Sequence, residues 1–217
     1  MKNYNKKWNN YEIENIKWIN LNKDHLCRYK FVDYVEKENI KDIVEVGGGE
    51  LIEARKILSN NYNISYVVVD VSDTFLDFAK TIDRVEGIKG DMINIPLKDK
   101  QVDLIYCSSV LEHSPDIRKT IKEMSRISNR FYFNMFKWKM KTGDLISVFR
   151  HKKQYYSTTF NIDALISLIR EYGNIDKLIV YDREKVEEKF SSYRENNVDI
   201  DINRNGKYLA IIGSWVA

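Results

Sequence analysis

The chain has 217 residues, 43% of them hydrophobic and 31% charged, with a formal net charge of +3. That length allows one domain with a sizeable core, the composition is ordinary for a folded globular protein, and so small a net charge creates no global field that calls for nucleic acid or membrane. Cys27 and Cys107 lie far apart, form no paired metal motif and read as reduced thiols. The opening Met-Lys-Asn-Tyr-Asn-Lys-Lys-Trp has no apolar segment of the secretory kind, and no apolar run approaches the ~20 residues of a membrane span. The expectation is a cytoplasmic protein with no membrane partner.

Residues 11–38 read as helical, with Cys27, Phe31, Tyr34 and Val35 on one apolar face. Ile43 to Val46 is a short apolar run of the length of a buried strand. It stops at Gly47-Gly48-Gly49, after which Leu51, Ala54, Ile57 and Leu58 recur at helical spacing. Residues 65–70 form a second, β-branched strand that closes on Asp70. Ser72 is placed to cap a helix carrying Phe75, Phe78, Ala79 and Ile82. A third strand spans 85–89 and a fourth 103–107. The helix that follows shows Ile117, Thr120, Ile121, Met124 and Ile127 on one face, and a fifth strand spans 131–136. Ile162, Leu165, Ile166 and Ile169 make the cleanest helical face, with Gly173 expected to stop it; residues 178–181 and 208–215 read as late strands. Strands alternating with helices specify an α/β fold with a mainly parallel sheet, whose ligands bind at the carboxyl ends of the strands. The organisation expected is a single domain over 1–217: an N-terminal helical segment to 40, a cofactor-binding core over 41–136, and a substrate-side segment with closing strands over 137–217.

A strand, a glycine turn and a helix in succession let the backbone and a helix N-terminus approach a ligand closely, because glycine has no Cβ in the way. That arrangement points to a nucleotide-type cofactor. A nicotinamide site would read G-x-G-x-x-G; Gly47 and Gly49 fit the first two positions, but the third falls on Ile52.

The motifs resemble those of class I S-adenosylmethionine-dependent methyltransferases, in particular the type 11-like small-molecule enzymes. Glu45-Val-Gly-Gly-Gly is similar to the family's acidic-x-Gly-x-Gly motif. Asp70 matches the acidic residue that holds the two ribose hydroxyls. Gly90-Asp91-Met92, followed by Ile95-Pro96-Leu97, is similar to the segment whose aspartate accepts from the adenine amino group. Asp103 to His113 resembles the fourth-strand motif beneath the methyl donor. The resemblance covers about residues 40–136 and implies a Rossmann-like, doubly wound seven-stranded sheet, mostly parallel with an antiparallel last strand. It implies S-adenosylmethionine as cofactor and S-adenosylhomocysteine as product. It sets Glu45, Gly47, Gly48, Gly49, Asp70, Val71, Asp91, Met92, Cys107 and Ser108 along that cofactor. The departures are Leu51 where the family often has a third glycine, and a 25-residue step from Glu45 to Asp70. Plain structural readings stand beside these: a tight turn for the glycines, a strand-end cap for Asp70, an Asx-turn for Asp91, and an anchor for the glycine loop's backbone in Glu45.

Methyl transfer from a sulfonium needs in-line placement more than covalent help, and a general base only where the acceptor must lose a proton early. Glu112-His113 follows the fourth strand, and His113 is a candidate base. The ubiquinone-pathway O-methyltransferases and small-RNA 2′-O-methyltransferases have a similar Glu-x-x-Glu-His metal cluster. Here Ser109 stands in the first position, leaving two ligands, too few for a metal site without a partner from elsewhere, and no metal ligand is assigned; a metal role for the pair stays as an alternative. A helix-capping or structural role for the pair is the alternative. Residues 137–156 carry Lys137, Lys139, Lys141, Arg150, Lys152 and Lys153 against the single acid Asp144, interleaved with Trp138, Phe149, Tyr155 and Tyr156. Basic heads with aromatic faces suit a phosphorylated or nucleotide-linked acceptor, or an unstacked base, and His151 and Tyr155 are candidates to touch it. A solvated loop is the plain reading.

Asn-Pro-Pro-Tyr, the mark of amino-group methylation on adenine or glutamine, is absent, since the site reads Cys107-Ser108-Ser109-Val110; no Pro-Cys marks a cytosine C5 nucleophile. The expected activity is methyl transfer to oxygen or nitrogen of a small polar or anionic molecule, such as a sugar or biosynthetic intermediate. The alternatives are an RNA methyltransferase and a non-catalytic S-adenosylmethionine-binding sensor or partner subunit.

Overall fold

A computed structural model describes residues 25–60, 63–136, 138–139, 147–150, 156–181, 186–187 and 208–216. The expected helical stretch 11–24 lies outside them.

The apolar runs become strands and the periodic segments become helices, in the order the spacing implies. Helix α1 is Leu26–Lys37, strand β1 Asp42–Val46, α2 Ile52–Ser59, β2 Ser65–Asp70, α3 Asp73–Ala79, β3 Val85–Lys89 and β4 Val102–Ser108. A 3-10 turn at Leu111–His113 leads to α4 (Ile117–Ile127) and β5 (Ser128–Met135). Then come β6 (Trp138–Lys139), β7 (Ser147–Arg150), β8 (Tyr156–Asn161), α5 (Ile162–Arg170), β9 (Gly173–Tyr181), β10 (Val186–Glu187) and β11 (Tyr208–Trp215).

The main sheet has the order β10-β9-β11-β5-β4-β1-β2-β3. Strands β3, β2, β1, β4 and β5 run parallel, and β11 is inserted antiparallel between β5 and β9. Strand β10 is only a two-residue extension at the edge, so seven longer strands carry the doubly wound sheet. Order reverses between β1 and β4, which puts the cleft at the carboxyl ends of those strands.

Alternation along the strands sends side chains to two faces. On one, Val44, Val46, Ile105, Cys107, Phe131, Phe133 and Ile211 pack under α4 and α5. On the other, Ile43, Tyr66, Val68, Leu104, Tyr106, Tyr132 and Ile212 pack under α1 and α2, with Phe31 stacked on Tyr106 at a ring separation of 3.6 Å. Ser72 caps α3, accepting from the Phe75 N–H.

Two local expectations change. Helix α5 ends at Arg170, and Gly173 opens β9 instead of stopping the helix. A Cβ at Gly173 would stand 2.4 Å from the Ser214 carbonyl oxygen, so close strand pairing, not a helix cap, requires glycine here. Residues 138–139, 147–150 and 156–161 also form a second, three-stranded sheet, β6-β8-β7, where a loop was one reading.

The register of β9 against β11 slips between Ile212 and Gly213. A Cβ on Gly213 would lie 2.0 Å from the Asn174 carbonyl oxygen. Gly213→Ala should cost about 2–3 kcal/mol through overpacking, seen as a fall of roughly 4–10 °C in melting temperature. An unchanged transition would mean that the irregular pairing relaxes without loss.

Candidate functional site

The chain must leave β1 and enter α2 between Gly47 and Leu51. Gly47 (φ +71°) and Gly49 (φ +55°) take the left-handed conformation, and a Cβ on Gly47 would reach 2.6 Å from Val110 Cγ2. Gly48 is closed from below: its Cβ would meet Leu51 Cδ2 at 2.4 Å and Val68 Cγ2 at 2.8 Å. Leu51, at the site of the family's frequent third glycine, is itself left-handed at φ 56°. That conformation costs a non-glycine residue about 1–2 kcal/mol. Its fully buried side chain offsets the strain. The turn is therefore real, and four of its five residues are shaped by it.

Asp70 ends β2 beside this loop. Its carboxylate accepts the Ser72 N–H at 2.8 Å and also faces the N–H groups of Val71 and Gly49. Burial raises its pKa from 3.8 to about 6, against the lowering effect of those N–H groups and of Lys89. Glu45 is a different case. It lies buried beneath Gly48, and its carboxyl accepts the Tyr66 hydroxyl at 2.7 Å. Burial, then the nearby Glu53 carboxylate, push it well above the usual carboxylate range. Glu45 thus supports the loop from below through a side-chain partner, where backbone anchoring was one expectation.

Asp91 follows β3, and its Oδ1 accepts the Ile93 N–H at 3.2 Å, an Asx-turn. Met92 is buried beside it. The rest of this loop is held by residues that sequence inspection passed over. Glu123 accepts the Ile95 N–H at 2.7 Å, and Arg126 donates to the carbonyls of Ile95 and Leu97 and to Asp99. Their signal was only an acid and a base three apart on the polar flank of α4.

Cys107 lies wholly in the apolar core, with its thiol pushed well up by burial. A ligand would meet its main chain and not its sulfur. Ser108 ends β4 half-buried, and Ser109 turns left-handed at φ 59°. Glu112 is buried, and its Oε1 accepts the Phe136 N–H at 2.8 Å, tying the 3-10 turn to the end of β5. His113 is half-buried, with Nδ1 2.8 Å from the Tyr156 carbonyl oxygen of β8. A carbonyl only accepts, so Nδ1 carries the proton; the neutral ring then has its lone pair on Nε2. Glu112 and His113 do not converge, and among the described residues no group of three His, Cys, Asp or Glu is placed to hold a metal. His151 and Tyr155 lie outside the described residues, as do Lys137, Lys141, Lys152 and Lys153.

Tyr208, at the start of β11, was not singled out from sequence. It packs 4.3 Å from His25, the N-cap of α1, and its hydroxyl bonds Ser109. The parallel strands end where antiparallel β11 begins, which brings this ring to the same edge as the glycine loop.

The comparisons agree with this fold. A family model described as a methyltransferase domain matches residues 44–130, the span from β1 through the start of β5. The fold is similar to that of 1,6-didemethyltoxoflavin-N1-methyltransferase from Burkholderia thailandensis, crystallised with 1,6-didemethyltoxoflavin and S-adenosylhomocysteine; the TM-score is 0.69 at 11% identity, covering 98% of this chain and 87% of that one. It is also similar to a complex between the Haloferax volcanii Trm112 methyltransferase activator and a methyltransferase, with TM-score 0.65, 12% identity, and 95% and 96% covered. The N-terminal domain of EvdMO1, with S-adenosylhomocysteine bound, gives TM-score 0.62 at 13% identity over 88% and 81% of the two chains. At such identities the likeness is one of fold. With the family-model match over residues 44–130, it shows a methyltransferase-domain fold.

Arg126→Ala should release the 91–97 loop. The side chain is 31% exposed, so its bonds are worth about 1 kcal/mol after solvent screening. Amide exchange at residues 93–97 should quicken roughly fivefold while β1 and β4 stay slow. Equal rates would assign the loop's order to Met92 and Ile95 packing instead.

Proposed function

We propose that this chain transfers a methyl group from S-adenosylmethionine to an oxygen or nitrogen of a small polar or anionic molecule. The observation that carries the reading is the buried Asp70 carboxylate at the end of β2, set against the N–H of Gly49 in the loop that opens α2. A carboxylate can accept two hydrogen bonds at once, which suits vicinal ribose hydroxyls. This acceptor geometry supports the cofactor reading. Gly47, Gly48 and Gly49 would pass along it, with Val71, Asp91 and Met92 toward the adenine and Cys107 and Ser108 along the floor.

When bound, the cofactor supplies an electrophilic methyl on a sulfonium. The chain's own work is to orient the acceptor and exclude water. His113 is our candidate for receiving the acceptor's proton, because its carbonyl-bound Nδ1 directs basicity to Nε2. His151 and Tyr155 are proposed to line the acceptor side. The small sheet supports such placement, since β8 touches the 3-10 turn that follows β4.

The basic and aromatic content of 137–156 favours an anionic acceptor, phosphorylated or nucleotide-linked, and keeps an RNA acceptor as the second reading. Loss of acceptor binding with rising salt would support either, and competition by a mononucleotide against an oligonucleotide would separate them. S-adenosylhomocysteine binding with no turnover on any acceptor would favour a sensor or partner subunit.

Titration calorimetry with S-adenosylhomocysteine, using NAD as control, tests the cofactor. Micromolar binding of the first and none of the second is expected; the reverse would remove the reading. Asp70→Ala should weaken binding by about 1–3 kcal/mol. Affinity should also fall about tenfold per pH unit below pH 6 and level off above 7, because the ribose hydroxyls need the ionised carboxylate. The same raised pKa acts oppositely on the unliganded fold: its stabilising contribution is full below pH 4 and is lost as pH rises through about 6. A pH-independent affinity would sink the Asp70 assignment. His113→Ala should reduce turnover about 10²-fold or more with S-adenosylhomocysteine affinity intact; equal turnover would reject it as the base.

A further inference from the structure

Helix α1 precedes every cofactor motif in the sequence, yet it sends a charge to the first turn of the helix that follows the glycine loop. Phe31, Val32 and Val35 bury on the sheet, and Arg28 occupies the same stripe one turn earlier. Its guanidinium donates to Glu53 Oε1 at 2.5 Å, with side chains only 11% and 1% exposed. Glu53 belongs to the first turn of α2, immediately after the glycine loop. The same oxygen accepts the Tyr106 hydroxyl from β4 at 2.8 Å, and Tyr106 in turn accepts Asn134 Nδ2 from β5 at 3.1 Å. Donation therefore runs in one direction from β5 through β4 to the carboxylate, and Arg28 meets that carboxylate from α1.

The second acid is Glu45, under Gly48 and bonded by Tyr66. Thus two carboxyl groups flank one loop, one from the strand before it and one from the helix after it. Both are within reach of Arg28's charge. A buried pair of this kind adds little stability over apolar replacements. Removing one partner, however, leaves an uncompensated charge, and here that charge would sit in the first helical turn after the glycine loop.

We propose that Arg28 is a positioning residue for the cofactor loop, making α1 an energetic part of the donor site that it does not line. The proposal rests on the cofactor reading above. Coupling of this kind is reciprocal: if α1 supports the loop's ligand-ready form, ligand binding must in turn stabilise α1. A purely structural ion pair would show no return effect beyond the uniform slowing that ligand binding gives every amide exchanging by global unfolding.

The test uses the full chain and S-adenosylhomocysteine as probe. In the wild type, saturating probe should slow amide exchange across residues 26–37 about threefold more than across β9 and β11, which lie away from the glycine loop. Arg28→Met should raise the dissociation constant about tenfold, in the range usual for coupled sites. Adding Glu53→Gln to Arg28→Met should recover most of that loss, since it removes the orphaned charge. Slowing at α1 no greater than at β9 and β11, or unchanged affinity in Arg28→Met even with a lowered melting temperature, overturns the proposal. So does a double variant that binds no better than Arg28→Met. The exchange measurement needs no variant, so a poorly folding Arg28→Met still leaves a decisive result. Failure of the wild type itself to bind the probe would overturn the cofactor reading, a separate outcome read before any variant is made.

Discussion

The passage from β1 into α2 is the constraint on which the rest of the site depends. Between Val46 and Ile52 the chain must leave a strand, turn and start a helix. Left-handed Gly47, Gly49 and Leu51 accomplish the turn. Val110, Val68 and the Glu45 carboxyl close the space that Cβ atoms would need. The strain at Leu51 persists because the surrounding packing overdetermines it, which is how unfavourable backbone survives at ligand-binding turns.

The two faces of the sheet serve this turn differently. The face under α4 and α5 is apolar almost throughout and holds the strands in register. The face under α1 and α2 is apolar near its middle but polar toward the carboxyl edge. There Tyr66 reaches Glu45 and Tyr106 reaches Glu53, while Asn134 donates to the Tyr106 hydroxyl. Such a network is costly if half satisfied, so each member constrains its neighbours. Stiffness beneath the loop comes from directional bonds, where apolar contact alone would allow sliding.

Strand ends that are remote in sequence supply the remaining parts. The β3 loop is tied down by Glu123 and Arg126 of α4, and the 3-10 turn by Glu112 to Phe136 and by His113 to Tyr156. Tyr208 brings β11 to Ser109 and to the N-cap of α1. Every one of these ties crosses between elements, so the loops at this end of the sheet are anchored to the neighbouring helix and strands.

The sequence by itself determined the parallel core, the glycine turn and Asp70 at the end of β2. All of these are local: apolar runs, helical spacing, and glycines where no Cβ fits. It also placed Ser72 as a cap, for the same reason. It misjudged Gly173, because the demand for glycine there comes from Trp215 and Ser214 across the sheet and not from the adjacent helix. The partners of Glu45, the inward turn of Glu112 and the protonated nitrogen of His113 were decided by tertiary structure alone. Arg28 and Glu53 did leave a trace, each a charge on an otherwise apolar helical stripe, but periodicity cannot say which two stripes face each other. A side chain's partner across 25 residues follows from how the helices lie on the sheet, and that is a property of the packed chain.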